Sequence, residues 1–135
     1  MSSSLTTLQE LAESLHNCQR CPLAKLGRRQ VVFGVGNPHA SVMFVGEAPG
    51  FHEDQKGEPF VGAAGQLLND LLESAGLSRA DIYIANVIKC RPPNNRDPEP
   101  QEVETCKPFL LQQIAMIRPK LVCSLGNWAT QTLLE

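Results

Sequence analysis

Four of the five cysteines have the spacing of a metal-binding set. Cys18 and Cys21 form a C-x2-C pair, and fifteen residues separate Cys90 from Cys106. Four thiolates can hold a tetrahedral zinc ion or an iron–sulfur cluster, and spacing alone does not decide between them. Free surface thiols are the alternative. Cys123 stands in an apolar run that predicts a core strand, so we interpret it as a packed thiol and not as a ligand.

A glycine-rich stretch from Gly46 to Gly65, GEAPGFHEDQKGEPFVGAAG, is the second candidate for chemistry. It follows an apolar run that predicts a buried strand and precedes an amphipathic helix. A loop of this length is typical of a functional site, and ligands of open α/β sheets bind at the carboxyl ends of strands. Glu47 comes just after the predicted strand, where a catalytic carboxylate can be held rigidly. The alternative interpretation is a flexible acidic surface loop.

Composition restricts the classes of protein that this chain can belong to. Its 135 residues, 42% of them hydrophobic, suit one domain with a real core. No apolar run is long enough to span a membrane, and the first residues show no secretory signal. We therefore expect a cytoplasmic protein whose cysteines stay reduced, which argues against a disulfide framework.

The distribution of charge is more informative than the net charge of −2. Seven of the twelve basic residues lie in the two segments around the C-x2-C pair and Cys90; they are Arg20, Lys25, Arg28, Arg29, Lys89, Arg91 and Arg96. If the segments meet, they form a local positive face that can hold phosphates. Ordinary solvated surface charge is the alternative.

The hydrophobic pattern predicts alternating strands and helices. Strands are expected at 30–35, 41–45, 82–88 and 120–125, and helices at 8–15, 66–75, 99–117 and from 128 onward. Thr7 and Glu10 form a capping box at the first helix. Pro108 is expected to kink or restart the third helix, and 89–98 is expected to be neither helix nor central strand. This alternation predicts an α/β protein with a parallel sheet covered on both faces.

The last predicted helix is still running at Glu135, without a C-terminal cap. From this we expect the chain to be truncated, with a further strand and helix beyond it.

Three motifs resemble the iron–sulfur uracil-DNA glycosylases of family 4. They are GEAPG at 46–50, EPFVG at 58–62 with GQLL at 65–68, and NVIKCRPP at 86–93. The cysteine layout and the Leu-Gly turn at 125–126 are similar to that family as well. The resemblance covers nearly the whole chain and rests on several independent motifs.

The resemblance implies a three-layer α/β/α fold with a central, mostly parallel sheet, in one uracil-DNA glycosylase-like domain over 1–135. It implies a 4Fe–4S cluster held by Cys18, Cys21, Cys90 and Cys106, with zinc as the runner-up. The implied activity is that of a hydrolase in DNA repair, which cleaves the N-glycosidic bond of deoxyuridine to leave an abasic site. The expected partner is uracil-containing DNA, without a membrane, and the expected state is a monomer.

The resemblance also assigns site residues. Glu47 would orient the attacking water or stabilise the cationic sugar, and Phe60 would stack on the extruded pyrimidine. Asn86 carries a donor and an acceptor that complement uracil, whereas cytosine reverses both groups. Gly46 and Ala48 would bind the substrate, because backbone N–H groups of their turn can hold the oxygen of the leaving anion. A core role for Phe60 and a turn role for Asn86 are the alternatives.

One departure from the family weakens the expectation of activity. The His-Pro-Ser motif that the family carries towards its carboxyl end has no match in this chain. If the chain is complete, we expect weak or absent catalysis. A non-catalytic DNA-binding relative of the phage-polymerase-related type is therefore one alternative, and a metal-stabilised nucleotide-binding module unrelated to repair is another. We expect Glu47, Phe60 and Asn86 to line one cavity of pyrimidine size.

Overall fold

A four-stranded mixed sheet organises the computed structural model, which describes residues 7–16, 18–19 and 22–134. Its strands are β1 (Val35–Gly36), β2 (Val42–Gly46), β3 (Tyr83–Asn86) and β4 (Leu121–Ser124), in the order β1-β3-β2-β4. β2 pairs in parallel with both β3 and β4, and β1 pairs antiparallel with β3. The sheet is thus mostly parallel, and the α/β class expected from the sequence is confirmed.

Five α-helices accompany the sheet in the described residues. They are α1 (Leu8–Ser14), α2 (Phe51–Lys56), α3 (Ala63–Ser74), α4 (Pro100–Ile117) and α5 (Asn127–Leu134). Short 3-10 turns occur at Pro22–Lys25, Arg79–Asp81 and Pro93–Asn95. The predicted cap of α1 is present, because the hydroxyl of Thr7 accepts a hydrogen bond from the backbone N–H of Glu10. No described helix combines the length and the apolar character that crossing a membrane requires.

The two faces of the sheet bury different side chains, because residues alternate along a strand. Met43 and Val45 of β2 belong to a core cluster with Leu110 and Ile117 of α4. Phe44 packs on the opposite face, in the cluster that contains Leu68 and Leu72 of α3. This alternation decides on which side of the sheet each residue of the candidate site lies.

The strand predicted at 30–35 is largely wrong. Only Val35 of that range lies in β1. Gly34 has a φ of +146°, which lies outside the conformation of a regular strand. Val32 donates its N–H to the carbonyl of Lys89, so this irregular segment still lies against the chain that follows β3.

The long loop predicted after β2 contains a helix, α2. The Glu53 carboxylate accepts the backbone N–H of Gly50, which precedes α2, and Gly57 ends it with a φ of 78°. The restart predicted at Pro108 is also wrong, because α4 runs continuously through it. Cys106, Leu110 and Ile117 on the same helix are buried, and this packing outweighs the loss of one backbone hydrogen bond.

Candidate active site

Gly46 and Asn86 are register partners at the carboxyl ends of the parallel strands β2 and β3. A Cβ atom on Gly46 would lie 2.6 Å from Oδ1 of Asn86 and 2.6 Å from Cζ of Phe60. Both side chains therefore occupy the space that a side chain at position 46 would fill. The structure brings these three predicted residues together at the edge where ligands of α/β sheets bind.

Phe60 is held in an uncommon backbone conformation. Its φ is 55°, in the left-handed region that a bulky residue rarely adopts. Arg79 donates hydrogen bonds to the carbonyls of Phe60 (3.0 Å) and Pro59 (2.8 Å), and so holds the turn from outside. A side chain on Gly65 would overlap the carbonyl group of Phe60, so α3 can approach the turn only with glycine there. Such strained residues cluster at functional sites.

The Asn86 carboxamide is the outstanding polar feature of the site. The residue is 1% exposed, and its Nδ2 has no hydrogen-bond partner among the described residues. A buried amide donor without a partner costs about 1–3 kcal/mol, which a ligand acceptor would recover. The site therefore presents a donor that matches a carbonyl oxygen of a bound molecule.

A cavity of about 100 Å³ adjoins Asn86 and has room for a small planar ligand. Ala48, Glu53, Phe60, Ala64 and Asn86 line it. Ala48, which the sequence also assigned to the substrate site, therefore lies beside Phe60 and Asn86.

Glu53 was not among the site residues predicted from the sequence. Its carboxylate accepts backbone N–H groups from Gly50 (2.9 Å), Val61 (3.0 Å) and Gly62 (2.9 Å), and thereby joins the two halves of the glycine-rich segment. Burial alone would raise the pKa of Glu53, but these backbone donors outweigh it and lower the pKa. A glycine followed three residues later by glutamate is a helix-start pattern that could have revealed this residue.

The Glu47 side chain lies in a different hollow. It lines that hollow with Val87, Val103, Trp128 and Thr132, on the side of the sheet that carries α4 and α5. Glu47 has the strand parity of Val45, so its side chain faces away from Phe60. The expectation of one shared cavity is thus met by Phe60 and Asn86 and not by Glu47.

Desolvation of the Glu47 carboxyl, and then the negative charge of Asp97, raises its pKa above 4.5. The pKa of this carboxyl is therefore closer to neutral pH than that of an ordinary glutamate, although the carboxyl lies in a different hollow from Phe60 and Asn86. A carboxyl of this kind suits proton transfer or water orientation.

A buried polar network supports Asn86 from behind. The ammonium group of Lys89, which is 2% exposed, donates to the backbone carbonyl of Asn86 (2.7 Å) and to Oε1 of Gln113. Gln113 in turn donates to the carbonyl of Phe33 (2.9 Å). Burial lowers the pKa of Lys89 to about 7, against the opposing attraction of Cys106. Because Lys89 is buried, it adds nothing to an exposed positive face, and that part of the charge prediction is wrong.

Three of the predicted metal ligands face one hollow. Cys18, Cys90 and Cys106 line it together with apolar side chains, and Nη1 of Arg28 lies 2.9 Å from Sγ of Cys90. Sulfur donors beside a cationic group are the type of ligand that a thiolate-bound metal or cluster requires. Cys21 lies outside the described residues. Within those residues no group of three or more His, Cys, Asp or Glu side chains is arranged to hold a metal ion.

Two other basic residues of the predicted positive face, Arg96 and Arg91, contact neighbouring side chains. Arg96 forms an ion pair with Glu102 (2.8 Å), so its charge is compensated. Arg91 lies over the ring of Phe51 and donates to Asn95. Arg20 lies outside the described residues. The exposed positive face is therefore smaller than the sequence suggested.

Sequence comparison with known proteins shows to which family the chain belongs. The sequence model of the Uracil DNA glycosylase superfamily matches residues 33–135, which include both strands of the Gly46–Asn86 pair. The chain belongs to the uracil-DNA glycosylase superfamily. It is 52% identical over 127 residues to the type-4 uracil-DNA glycosylase of Archaeoglobus fulgidus, covering 94% of this chain and 63% of that protein. The type-4 enzyme of Pyrobaculum aerophilum is 51% identical over 128 residues, covering 95% and 65%.

These relatives confirm the prediction of family 4. The chain spans less than two thirds of the length of each of these two uracil-DNA glycosylases. A DNA polymerase of Bacillus phage SP01 is 30% identical over 101 residues, which is 74% of this chain but 11% of the polymerase. The similarity to the type-4 enzymes is greater, so the phage-polymerase-related alternative is not favoured.

Proposed function

We propose that this protein removes uracil from DNA by hydrolysing the N-glycosidic bond of deoxyuridine, as a glycosidase of base excision repair. The observation that carries the proposal is the unpaired Nδ2 of Asn86, buried beside Phe60 at the end of β3. A uracil stacked on Phe60 would offer its O4 to that donor and its N3–H to Oδ1. The similarity to the type-4 enzymes supports this reading of the site.

Selectivity would follow from the same amide. Cytosine places an amino group where uracil has O4 and an unprotonated nitrogen where uracil has N3–H. Both contacts to Asn86 would then be lost, and two buried polar atoms would remain unpaired. A site built around one hydrogen-bonding side chain discriminates strongly against analogues that cannot pair with it.

The target nucleotide must leave the stack before its base can reach Asn86. Phe60, fixed in its turn by Arg79, would offer an aromatic face that offsets part of the unstacking cost. We infer that the backbone N–H groups of the Gly46–Gly50 turn, including that of Ala48, stabilise the uracil anion as the bond breaks. Water supplies the hydroxyl group at C1′, and the bonding electrons leave with N1 of uracil.

Glu47 would act on the sugar side of the reaction. Its side chain lines a separate hollow on the side of the sheet that carries α4 and α5, so the role that we infer for it is towards the water or the cationic sugar and not towards the base itself. The ionised carboxylate would stabilise developing positive charge on the sugar or accept a proton from water. The raised pKa of Glu47 means that this ionised form is lost at a higher pH than in an ordinary glutamate.

We further propose that Cys18, Cys21, Cys90 and Cys106 hold an iron–sulfur cluster, with zinc as the runner-up. Bound there, a cluster would supply a fixed cross-link between the segment after α1, the segment after β3 and α4. Arg28, beside Cys90, would stabilise the charge of a thiolate. The monomeric state and the cytoplasmic location stay predictions.

An abasic-site cleavage assay on a uracil-containing oligonucleotide tests the proposal. The full-length protein should release uracil, and Glu47→Gln should slow a single turnover by orders of magnitude while DNA affinity changes little. Binding of the oligonucleotide without any uracil release would instead support the non-catalytic DNA-binding alternative.

A further inference from the structure

Phe51 and Arg91 form an aromatic–cation pair on the surface next to the candidate active site. The ring of Phe51 is 49% exposed, and the guanidinium carbon of Arg91 lies 5.4 Å from its centroid. His52 contacts the same ring edge-on, with centroids 5.4 Å apart and planes at 84°. A large apolar side chain is thus held at the surface with a guanidinium beside it.

The pair is fixed to the active-site segment. Phe51 lies two residues before Glu53, whose carboxylate ties Gly50 to Val61 and Gly62 at the cavity. Arg91 is oriented by the hydrogen bond from its Nε to Oδ1 of Asn95 (2.7 Å). Its two terminal amino groups have no hydrogen bond to any described residue, so they are available to a ligand.

An exposed aromatic ring and a guanidinium form the two-part surface that binds single-stranded nucleic acid. The ring accepts the face of a base, and the cation pairs with a phosphate. We propose that this pair binds the DNA strand beside the extruded nucleotide, with a neighbouring base on Phe51 and a phosphate on Arg91. The inference rests on the proposed function, because it assumes that the substrate is DNA.

This placement has a consequence for strand preference. A neighbouring base can lie on Phe51 only if it has left its own stack, which is easier in single-stranded DNA than in a duplex. The contribution of Phe51 should therefore be larger for single-stranded than for double-stranded substrates. Because every base has an aromatic face, the contribution should not depend on the identity of the neighbouring base.

Binding of oligonucleotides to Phe51→Ala tests the inference. The ligand is an oligonucleotide with a non-cleavable tetrahydrofuran abasic analogue, offered in single-stranded and in duplex form to the full-length protein. Leu111→Ala is the matched control, because Leu111 is a large apolar side chain on α4 that is 48% exposed, nearly the same fraction as Phe51, but has no aromatic ring. Phe51→Trp tests rescue by another aromatic side chain.

We expect Phe51→Ala to weaken binding of the single strand by about tenfold or more, and that of the duplex by less. Phe51→Trp should restore the affinity, and Leu111→Ala should match the wild type. Equal affinities of Phe51→Ala and Leu111→Ala for the single strand would overturn the inference. Equal affinities of the two variants, found together with uracil release by the wild type, would overturn this inference and leave the proposed function standing. Failure of the wild type to bind DNA would overturn the proposed function as well.

Discussion

Gly46 and Asn86 pair across β2 and β3, and the missing side chain of Gly46 provides the space that the Asn86 carboxamide and the Phe60 ring share. A glycine at a strand end thereby allows a hydrogen-bonding group and an aromatic ring to meet at one point. The backbone of Gly46 is not in the left-handed region, so the requirement for glycine there is steric and not conformational.

Gly46→Ala should displace the site without unfolding the protein. The added methyl group would overlap Asn86 Oδ1 and the Phe60 ring, and overpacking of this kind costs about 1–3 kcal/mol. A misplacement of the base-reading groups by about 1 Å can slow catalysis by about 100-fold. Single-turnover uracil release and thermal unfolding measure the two effects. Normal uracil release by Gly46→Ala would show that catalysis does not need the close approach of Asn86 and Phe60 to position 46.

Asn86→Leu should abolish uracil release while leaving the free energy of unfolding within about 1 kcal/mol of the wild type. The Nδ2 atom has no partner among the described residues, so its removal breaks none of the hydrogen bonds seen there. Gln113→Leu is the contrasting control, because that buried amide accepts from Lys89 and donates to Phe33. It should destabilise the protein by about 1–3 kcal/mol, since it leaves the buried Lys89 amino group and the Phe33 carbonyl without that partner. If urea unfolding showed the same loss in the free energy of unfolding for both variants, the conclusion that Asn86 Nδ2 has no partner within the protein would be refuted.

Arg79→Lys should loosen Phe60. A lysine keeps the positive charge but cannot reproduce the fork of donors that holds the carbonyls of Pro59 and Phe60. We expect KM for uracil-containing DNA to rise by about tenfold, with a smaller effect on thermal stability. Arg118→Lys, at the exposed end of α4, should leave KM unchanged. A KM of the wild-type value in Arg79→Lys would indicate that Phe60 keeps its turn without the clamp.

The pH dependence of uracil release should show the raised pKa of Glu47. If the ionised carboxylate is required, the rate falls as the pH decreases through this pKa, which desolvation and Asp97 place above 4.5. Asp97→Asn removes the neighbouring negative charge, so the acid limb should move to lower pH. Glu104→Gln, an exposed change on α4, should not move it. An acid limb that stays in place in Asp97→Asn would assign that limb to another group.

Short apolar runs predicted the strands β2, β3 and β4, and leucines at helical spacing predicted the helix α3. The prediction failed at 30–35, where Gly34 breaks the strand although the residues are apolar. The meeting of Phe60 and Asn86 was predicted from the resemblance of their two motifs to one family, because Phe60 lies between α2 and α3 and only Asn86 ends a strand. The position of Glu47 could also have been inferred, because it has the parity of Met43 and Val45 and so faces α4 and α5.

Two features of the site depend on contacts that no local pattern encodes. A lysine at position 89 is expected to be a surface charge, yet Lys89 is buried, because Gln113, 24 residues away, accepts its hydrogen bond together with the nearby Asn86 carbonyl. The left-handed turn at Phe60 depends on Arg79 and on the close approach of Gly65, nineteen and five residues away. Both arise only when the tertiary structure has formed.

The side-chain amide resonance of Asn86 in the full-length protein tests the central claim, that this residue reads uracil beside Phe60, more directly than any rate. The ¹⁵N-resolved Nδ2–H signals should shift when uracil is added and should stay in place when cytosine is added at the same concentration. Signals that respond equally to both bases, or that stay unchanged while uracil binds elsewhere on the protein, would contradict the account.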